Sequence, residues 1–214
     1  MILALDLSTP RGALAVVSSA GEVVFDQHFR AHRSHNALVF EPLKQAIEAC
    51  GADGPSCVVI GTGPGSYTGV RVAISAGTGI AMAKGIPLVG WPSAPTANEA
   101  VDSGEAFLFV GDARRGKYYG IEVDPSEPSQ EFVPTLFEPQ GMTEWLKEKE
   151  TMMAWTFDPV PPEPCGNAKV TYPDPVNLGR MLVGMDKDRI DALSSPVLEP
   201  VYLSAPFVTT PKSR

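Results

Sequence analysis

Short runs of apolar residues separated by turn residues open this chain. Such runs predict strands, and the glycine, proline and serine residues between them predict tight turns. The runs are residues 2–7, 13–18 and 23–29. The sequence therefore predicts an antiparallel meander of three strands at the start of the chain.

The spacing of apolar residues changes at residues 35–50. Leucine, valine, isoleucine and alanine side chains recur there on one helical arc, and Gly51 follows the last turn. This pattern predicts an amphipathic helix. Pro42 stands inside the segment, where an interior proline costs about 3 kcal/mol and removes a backbone hydrogen bond. We expect the helix to be kinked at this residue.

A glycine-rich stretch then joins a predicted strand, residues 57–60, to a second predicted helix. The chain must turn after the strand, and Thr68 is predicted to cap the helix with Arg71 in its first turn. The stretch lacks both the Gly-Lys-Ser/Thr ending of a P-loop and the spacing of a dinucleotide-binding motif. Phosphate binding at the helix N-terminus and a turn that only docks the helix both remain open. The residues predicted to form the structural loop are Gly63, Pro64, Gly65, Ser66 and Gly69.

Small residues recur at every fourth position of this second helix, at Gly69, Ala73, Gly77 and Ala81. Glycine inside a helix costs about 1 kcal/mol relative to alanine, so a packing interaction must offset Gly77. Because the apolar arc is too wide for one neighbour, we expect the helix to contact two elements. The stripe faces either elements of the same chain or another protein, and the sequence leaves both open.

The second half of the chain repeats the layout of the first. Strands are predicted at residues 107–110 and 117–123 around a short loop, as at the start of the chain, and a helix is predicted at 140–150. The proline-rich stretch 158–175 is predicted to be irregular. We therefore predict an α/β protein of two related lobes, 1–104 with the helices and a divergent C-terminal lobe, 105–214.

Composition excludes several classes of protein. The chain has 214 residues, a formal net charge of -8 and scattered basic residues, which argues against binding nucleic acid without a partner. No apolar run approaches the roughly 20 residues of a membrane helix, and no signal peptide is evident, so a cytoplasmic protein is expected. Cys50, Cys57 and Cys165 are odd in number and widely spaced, which predicts reduced structural thiols.

Catalytic motifs are absent from the sequence. His32 and His35 lie three residues apart, but no acidic residue or cysteine follows at a useful distance for a metal ligand. Ser66 does not stand in a Gly-x-Ser-x-Gly elbow, and no histidine is placed to activate it. We therefore predict no metal site and no catalytic residue.

An aspartate ends one predicted strand in each lobe, followed by a short loop that contains arginine. This arrangement resembles the one by which actin-like ATPases and sugar kinases hold a metal-nucleotide between two lobes, which implies weak or shared nucleotide binding here. Strand-end turn formation is the preferred explanation of the aspartates. The candidate nucleotide-binding residues are Asp6, Ser8, Thr9, Asp112 and Arg114.

Acidic strand ends in two facing lobes make the chain resemble the superfamily of actin-like ATPases and sugar kinases. More narrowly, it resembles the bacterial TsaB family, the dimerisation subunit of the complex that makes threonylcarbamoyladenosine in tRNA. The resemblance is strong over residues 1–123 and weak over 124–197. The segments that carry it are residues 2–9, 63–71, 112–114, 118–119 and 200–203, together with His35, Leu38 and Pro42.

The resemblance implies two RNase H-like lobes and a scaffold without activity of its own, which forms a heterodimer with the catalytic paralogue TsaD. It implies contact with a TsaE-like ATPase, only indirect contact with tRNA, and no cofactor of the chain's own. A homodimer in the absence of the partner is compatible with the same stripe of small residues and is left open by the sequence. ATP or ADP and a metal are expected in the partner complex. An independent actin-like ATPase or small-molecule kinase is the alternative. The expected interface residues are His35, Leu38, Val39, Pro42, Leu43, Arg71, Ala73, Ile74, Gly77 and Ala81.

Overall fold

A computed structural model describes residues 1–30, 39–126 and 132–203. Its first sheet has five strands in the order β3-β2-β1-β4-β5. Strands β1, β2 and β3 form the predicted antiparallel meander. Strand β4 pairs in parallel with β1, and β5 pairs in parallel with β4. The strands are β1 (Ile2–Asp6), β2 (Arg11–Val17), β3 (Val23–Arg30), β4 (Cys57–Gly61) and β5 (Leu88–Trp91).

Helix α1 spans Phe40–Ala49 and is shorter than the predicted segment 35–50. Its first backbone hydrogen bond runs from the Leu43 N–H to the Val39 carbonyl, at 2.9 Å. Pro42 is therefore the third helical residue, where a backbone N–H would have no partner within the helix. The predicted kink is wrong because the proline lies in the first turn. His35 and Leu38 lie outside the described residues.

Helix α2 spans Tyr67–Lys84 and begins at a different cap from the predicted one. The Ser66 side chain, and not Thr68, accepts a hydrogen bond from the Gly69 N–H at 3.2 Å. At the other end Gly85 takes the left-handed conformation, with φ 64°, that terminates many helices. The cap places Arg71 in the second turn.

The stripe of small residues on α2 faces the first sheet. Gly69, Ala73, Gly77 and Ala81 are all buried. A Cβ at Gly77 would lie 2.6 Å from Ile60 Cδ1 and 3.3 Å from Leu88 Cδ1, closer than ordinary packing allows. The stripe thus lets α2 approach β4 and β5, which offsets the low helix propensity of glycine.

The second lobe repeats the topology of the first. Its sheet has the order β8-β7-β6-β9-β10, with an antiparallel β6–β7–β8 meander and with β9 and β10 in parallel pairing. The predicted α/β fold of two related lobes is confirmed. The strands are β6 (Phe107–Arg114), β7 (Lys117–Val123), β8 (Thr135–Phe137), β9 (Met153–Thr156) and β10 (Lys169–Val170).

Two helices belong to this part of the chain. Helix α3 covers Asn98–Asp102 between the two sheets in sequence, and α4 covers Pro139–Glu148, close to the predicted 140–150. The strand predicted at 107–110 continues to Arg114, because Arg114 and Arg115 adopt positive φ angles of 71° and 58° and turn the chain directly into β7. The irregular stretch 158–175 contains one short 3-10 helix, Glu163–Cys165, and β10.

The C-terminal part of the chain returns to the first lobe. Helix α5 (Pro175–Arg180) packs on β1 and β2, and α6 (Lys187–Leu193) packs on β5. Leu178 and Leu182 are buried against the sheet face opposite to α1 and α2. Among the described residues, this returning segment covers the second face of the first sheet. The lobe bounds 1–104 and 105–214 stay a prediction.

Candidate functional site

An apolar groove runs between α1 and α2 on the outer surface of the first lobe. Its volume is about 580 Å³. Phe40 is 64% exposed and Tyr67 is 54% exposed, which is unusual for side chains of this size. The groove is lined by Val39, Phe40, Tyr67, Thr68, Arg71, Val72, Ser75 and Ala76. Exposed aromatic side chains beside an apolar groove are typical of a protein contact surface.

Helical phase explains why this face is open. Residues two positions apart on a helix differ by about 200° around its axis. Because Gly69, Ala73 and Gly77 point to the sheet, Arg71, Ser75 and Gly79 point away from it and are exposed. A Cβ at Gly79 would meet no atom within 4 Å. The solvent-facing stripe of α2 is therefore displaced by two residues from the one singled out in the sequence.

Several expected interface residues require correction. Pro42, Leu43, Ala73, Gly77 and Ala81 are buried within the chain itself and present no side-chain surface to a partner. Val39 is also buried but lines the groove, Arg71 is exposed at its edge, and Ile74 is half-buried. Phe40 and Tyr67 were not among the expected interface residues, although large aromatic residues at the starts of both helices were an available signal.

The groove ends at a cluster of three side chains. The Arg71 guanidinium lies 4.0 Å from the centroid of the Tyr67 ring, and its Nη2 donates a hydrogen bond to the Tyr202 hydroxyl at 3.1 Å. The two tyrosine rings are 6.0 Å apart. The hydrogen bond to Tyr202 raises the pKa of Arg71, which is charged in any case.

A second cavity, about 780 Å³ in volume, lies between the two lobes. It brings together four of the five candidate nucleotide-binding residues, Ser8, Thr9, Asp112 and Arg114. Tyr67, Thr68 and Tyr202 also line it, so the first turn of α2 separates the cleft from the groove. Asp6 does not line the cleft.

Asp6 is fully buried at the end of β1. Its Oδ1 accepts a hydrogen bond from the Ser8 N–H at 2.7 Å, and a Cβ on the neighbouring Gly61 would overlap its other oxygen. Burial raises the pKa of Asp6, and hydrogen bonding by Ser8 and Ser93 opposes that shift. Asp6 therefore shapes the turn after β1 and has no access to a ligand in the cleft.

Asp112 is occupied by a neighbouring arginine. Its two carboxylate oxygens accept hydrogen bonds from the Arg114 N–H at 2.6 Å and from Arg114 Nη1 at 3.0 Å. The Asp112 N–H donates to Asp158 Oδ2 at 2.8 Å, and burial raises the pKa of Asp158. Within the described ranges no three acidic, histidine or cysteine side chains cluster as metal ligands. The donor groups of this cleft do not fit a metal-nucleotide.

The glycine-proline-glycine loop fastens β4 and β5 to the turn after β1. The Gly63 N–H donates to Ser93 Oγ at 3.0 Å, and the Ser66 N–H donates to the Ser8 carbonyl at 2.6 Å. A Cβ at Gly69 would overlap the Leu7 carbonyl oxygen, so only glycine allows the helix to start this close to β1. The N–H groups of Gly63, Ser66 and Gly69 thus bond to the chain itself, which leaves them unable to hold a phosphate.

The three cysteines are free thiols in buried positions. Burial raises the pKa of Cys57 to about 11 and that of Cys165 to about 12, so neither forms a reactive thiolate at neutral pH. Among residues 1–30, 39–126 and 132–203, no helix is both long and apolar enough to cross a bilayer.

Comparison with known proteins finds similarity to two proteins of one tRNA modification. The family model described as TsaD, tRNA N6-adenosine threonylcarbamoyltransferase, matches residues 27–127. The tRNA threonylcarbamoyladenosine biosynthesis protein TsaB of Escherichia coli K12 is 26% identical to this chain over 132 residues. This chain is therefore similar to TsaB over that stretch. The match covers 59% of this chain and 56% of the Escherichia coli protein, so it spans little more than half the length of that relative.

Two solved structures share the fold of this chain. YeaZ from Pseudomonas aeruginosa is 20% identical and superposes with a TM-score of 0.62, over 88% of this chain and 92% of that one. A second Pseudomonas aeruginosa protein, described as similar to peptidase YeaZ, is 22% identical with a TM-score of 0.65, over 95% and 99%. At these identities the superpositions show the fold alone.

Proposed function

We propose that this chain is a non-catalytic scaffold subunit that forms a heterodimer with a TsaD-like catalytic subunit. Together they would transfer a threonylcarbamoyl group to the adenine next to the anticodon of tRNA. Similarity to the Escherichia coli protein of threonylcarbamoyladenosine biosynthesis supports the pathway, and the match to the TsaD family model supports the kind of partner.

The open groove between α1 and α2 carries this proposal. Both helices lie within residues 27–127, the segment that matches the TsaD model. A TsaD-like protein would therefore present a similar pair of helices, and two such pairs could pack as a four-helix interface. Phe40 and Tyr67 would supply the aromatic contacts that dominate such interfaces.

The interlobe cleft supports a role without catalysis. Asp6 is sealed beneath the turn after β1, and Asp112 is held by Arg114. A metal-nucleotide between the lobes would need accessible carboxylate oxygens, whereas Asp6 is buried away from the cleft and both oxygens of Asp112 accept hydrogen bonds from Arg114. ATP or ADP and the metal would accordingly be bound by the partner complex and not by this chain.

The remaining partners follow from the same proposal. A TsaE-like ATPase would join the larger complex, and tRNA would contact this chain only indirectly, since its net charge is -8. A subunit that acts on tRNA in bacteria would work in the cytoplasm. Without the partner, the exposed groove of one copy could cover that of another, which would give a homodimer.

The test is a calorimetric titration of the chain with the TsaD-like protein of the same organism, with turnover of magnesium-ATP followed for each protein and for the mixture. We expect binding, and no turnover by this chain alone. Phe40→Asp should weaken binding at least about tenfold by placing a charge in the groove. Val160→Asp introduces the same charge at a side chain 77% exposed on the second lobe and should have no effect.

Two outcomes would contradict the proposal. Absence of binding together with robust ATP turnover by the chain alone would favour an independent ATPase or small-molecule kinase. Equal losses of affinity in Phe40→Asp and Val160→Asp would move the contact surface away from the groove.

A further inference from the structure

Arg71 is a preorganised cation at the edge of the groove between α1 and α2. It is exposed, yet its guanidinium is held on both sides, by the face of the Tyr67 ring at 4.0 Å and by the Tyr202 hydroxyl at 3.1 Å. A surface arginine normally loses side-chain entropy when it binds a partner group. Arg71 has already lost much of that freedom in the free chain.

The position of Tyr202 is fixed by the C-terminal segment that leads to it. The Ser195 N–H donates to the Leu88 carbonyl at 3.0 Å, and the Val201 N–H donates to the Thr62 carbonyl at 2.9 Å. Leu198 packs against the core of the first lobe, and Leu203 packs against the core of the second. Tyr202 therefore stands on a segment anchored at both ends, which makes it a rigid support for Arg71.

The charge of Arg71 is not neutralised within the described chain. Lysine and arginine side chains elsewhere in the described chain form ion pairs with carboxylates, whereas no described carboxylate lies within ion-pair distance of Arg71. The pairs are Lys44–Glu48, Arg114–Asp112, Lys117–Glu138 and Lys149–Glu122. A fixed cation beside an apolar contact surface is suited to a complementary anionic group on the molecule that covers the surface.

We propose that Arg71 receives a carboxylate from the TsaD-like partner, and that Tyr202 acts as a positioning residue for this ion pair. The inference rests on the proposed function, since it names the chemistry of the same contact surface. A protein carboxylate fits better than a nucleic-acid phosphate for two reasons. The groove next to Arg71 has an apolar lining that includes Phe40 and Val72, and the net charge of the chain is negative, which disfavours contact with nucleic acid. The C-terminal segment thereby becomes part of the interface.

A second copy of this chain is the competing occupant. Helix α1 exposes Glu41 and Glu48, either of which could reach an arginine on another copy. The heterodimer is favoured because Glu48 pairs with Lys44 at 3.9 Å and Glu41 accepts a hydrogen bond from Gln45 at 3.1 Å, so both carboxylates already have partners.

The experiment titrates the wild-type chain and its variants into the TsaD-like protein of the same organism at low and high ionic strength. We expect Arg71→Glu to weaken binding at least about tenfold and to reduce its dependence on salt, and Arg71→Lys to retain part of the affinity. Tyr202→Phe removes only the acceptor of the hydrogen bond and should weaken binding about threefold to tenfold. Arg189→Glu, the same charge change on α6 across the first sheet, is the matched control.

Rescue identifies the partner group. Each Asp and Glu on the partner's corresponding helices is changed to Arg in turn and tested against Arg71→Glu, and one of these changes should restore binding. Wild-type binding that is unaffected by Arg71→Glu would overturn this inference and leave the proposed function standing, whereas failure of the wild type to bind would overturn both. Loss of a homodimer in Arg71→Glu with an unchanged heterodimer would assign the carboxylate to a second copy and would also overturn it.

Discussion

Replacing Gly77 tests which way the small-residue stripe of α2 faces. In Gly77→Leu the new Cβ would lie 2.6 Å from Ile60 Cδ1 and 2.9 Å from Ile60 Cγ1. Ile60 is fully buried in the core of the first lobe, so its side chain has no free space into which to move. The leucine must therefore displace α2 from the sheet.

The magnitude follows from two opposing effects. The higher helix propensity of leucine stabilises the helix by about 1 kcal/mol or slightly less relative to glycine. Overpacking a filled core costs about 1–3 kcal/mol, and the four added carbon atoms place this substitution at or above the upper end of that range. We expect Gly77→Leu to lower the free energy of unfolding by about 2 kcal/mol or more.

Urea denaturation followed by circular dichroism measures this change, with Gly79→Leu as the matched control. Gly79 lies on the same helix two residues away, and a Cβ there meets no atom within 4 Å, so we expect a gain of about 0.5–1 kcal/mol. The reasoning would be refuted by a Gly77→Leu protein as stable as the wild type but deficient in partner binding, since the stripe would then face outward.

Two further predictions concern the ends of α2 and β1. Ser66→Ala removes the side chain that accepts a hydrogen bond from the Gly69 N–H and should lower the free energy of unfolding by about 1 kcal/mol. Thr68→Ala should change that free energy by less than about 0.5 kcal/mol. Urea denaturation measures both, and equal effects would contradict the assigned cap. Burial raises the pKa of Asp6 above 3.8 in the folded state, so its contribution to stability is lost as pH rises from about 4 through the raised value. Asp6→Asn has no proton to lose and should therefore gain stability relative to the wild type as pH rises from about 4 towards neutrality. A stability difference that does not vary with pH would contradict this account.

Local sequence patterns were sufficient for much of the architecture. The three-strand meander, the α2 segment and the strand pair around Gly116 follow from the alternation of apolar runs and turn residues, and these patterns depend only on near neighbours. The two-lobe layout followed from the repeat of an aspartate, a loop and a returning strand. The helices of residues 175–193 were missed because they are short and gain their stability from packing on the distant first sheet.

The candidate site was harder to predict, because its residues become neighbours only through the fold. The four-residue period of Gly69, Ala73 and Gly77 shows that one face of α2 is smooth, but not whether that face meets the sheet or a partner. Contact with Ile60 and Leu88 decides for the sheet. In the same way, Arg71 and Tyr202 are separated by 131 positions in the chain and meet only because the C-terminal segment returns across the first lobe.

The fold class, the family resemblance and the smooth stripe of α2 can all be inferred from the amino-acid sequence, because each depends on local spacing and composition. Only the packing of the elements in three dimensions establishes which face of α2 is open, that Asp6 and Asp112 accept hydrogen bonds within their own turns, and that Tyr202 supports Arg71. Burial and hydrogen-bond partners depend on which elements pack together. Residue spacing fixes only the relative positions of side chains within one element.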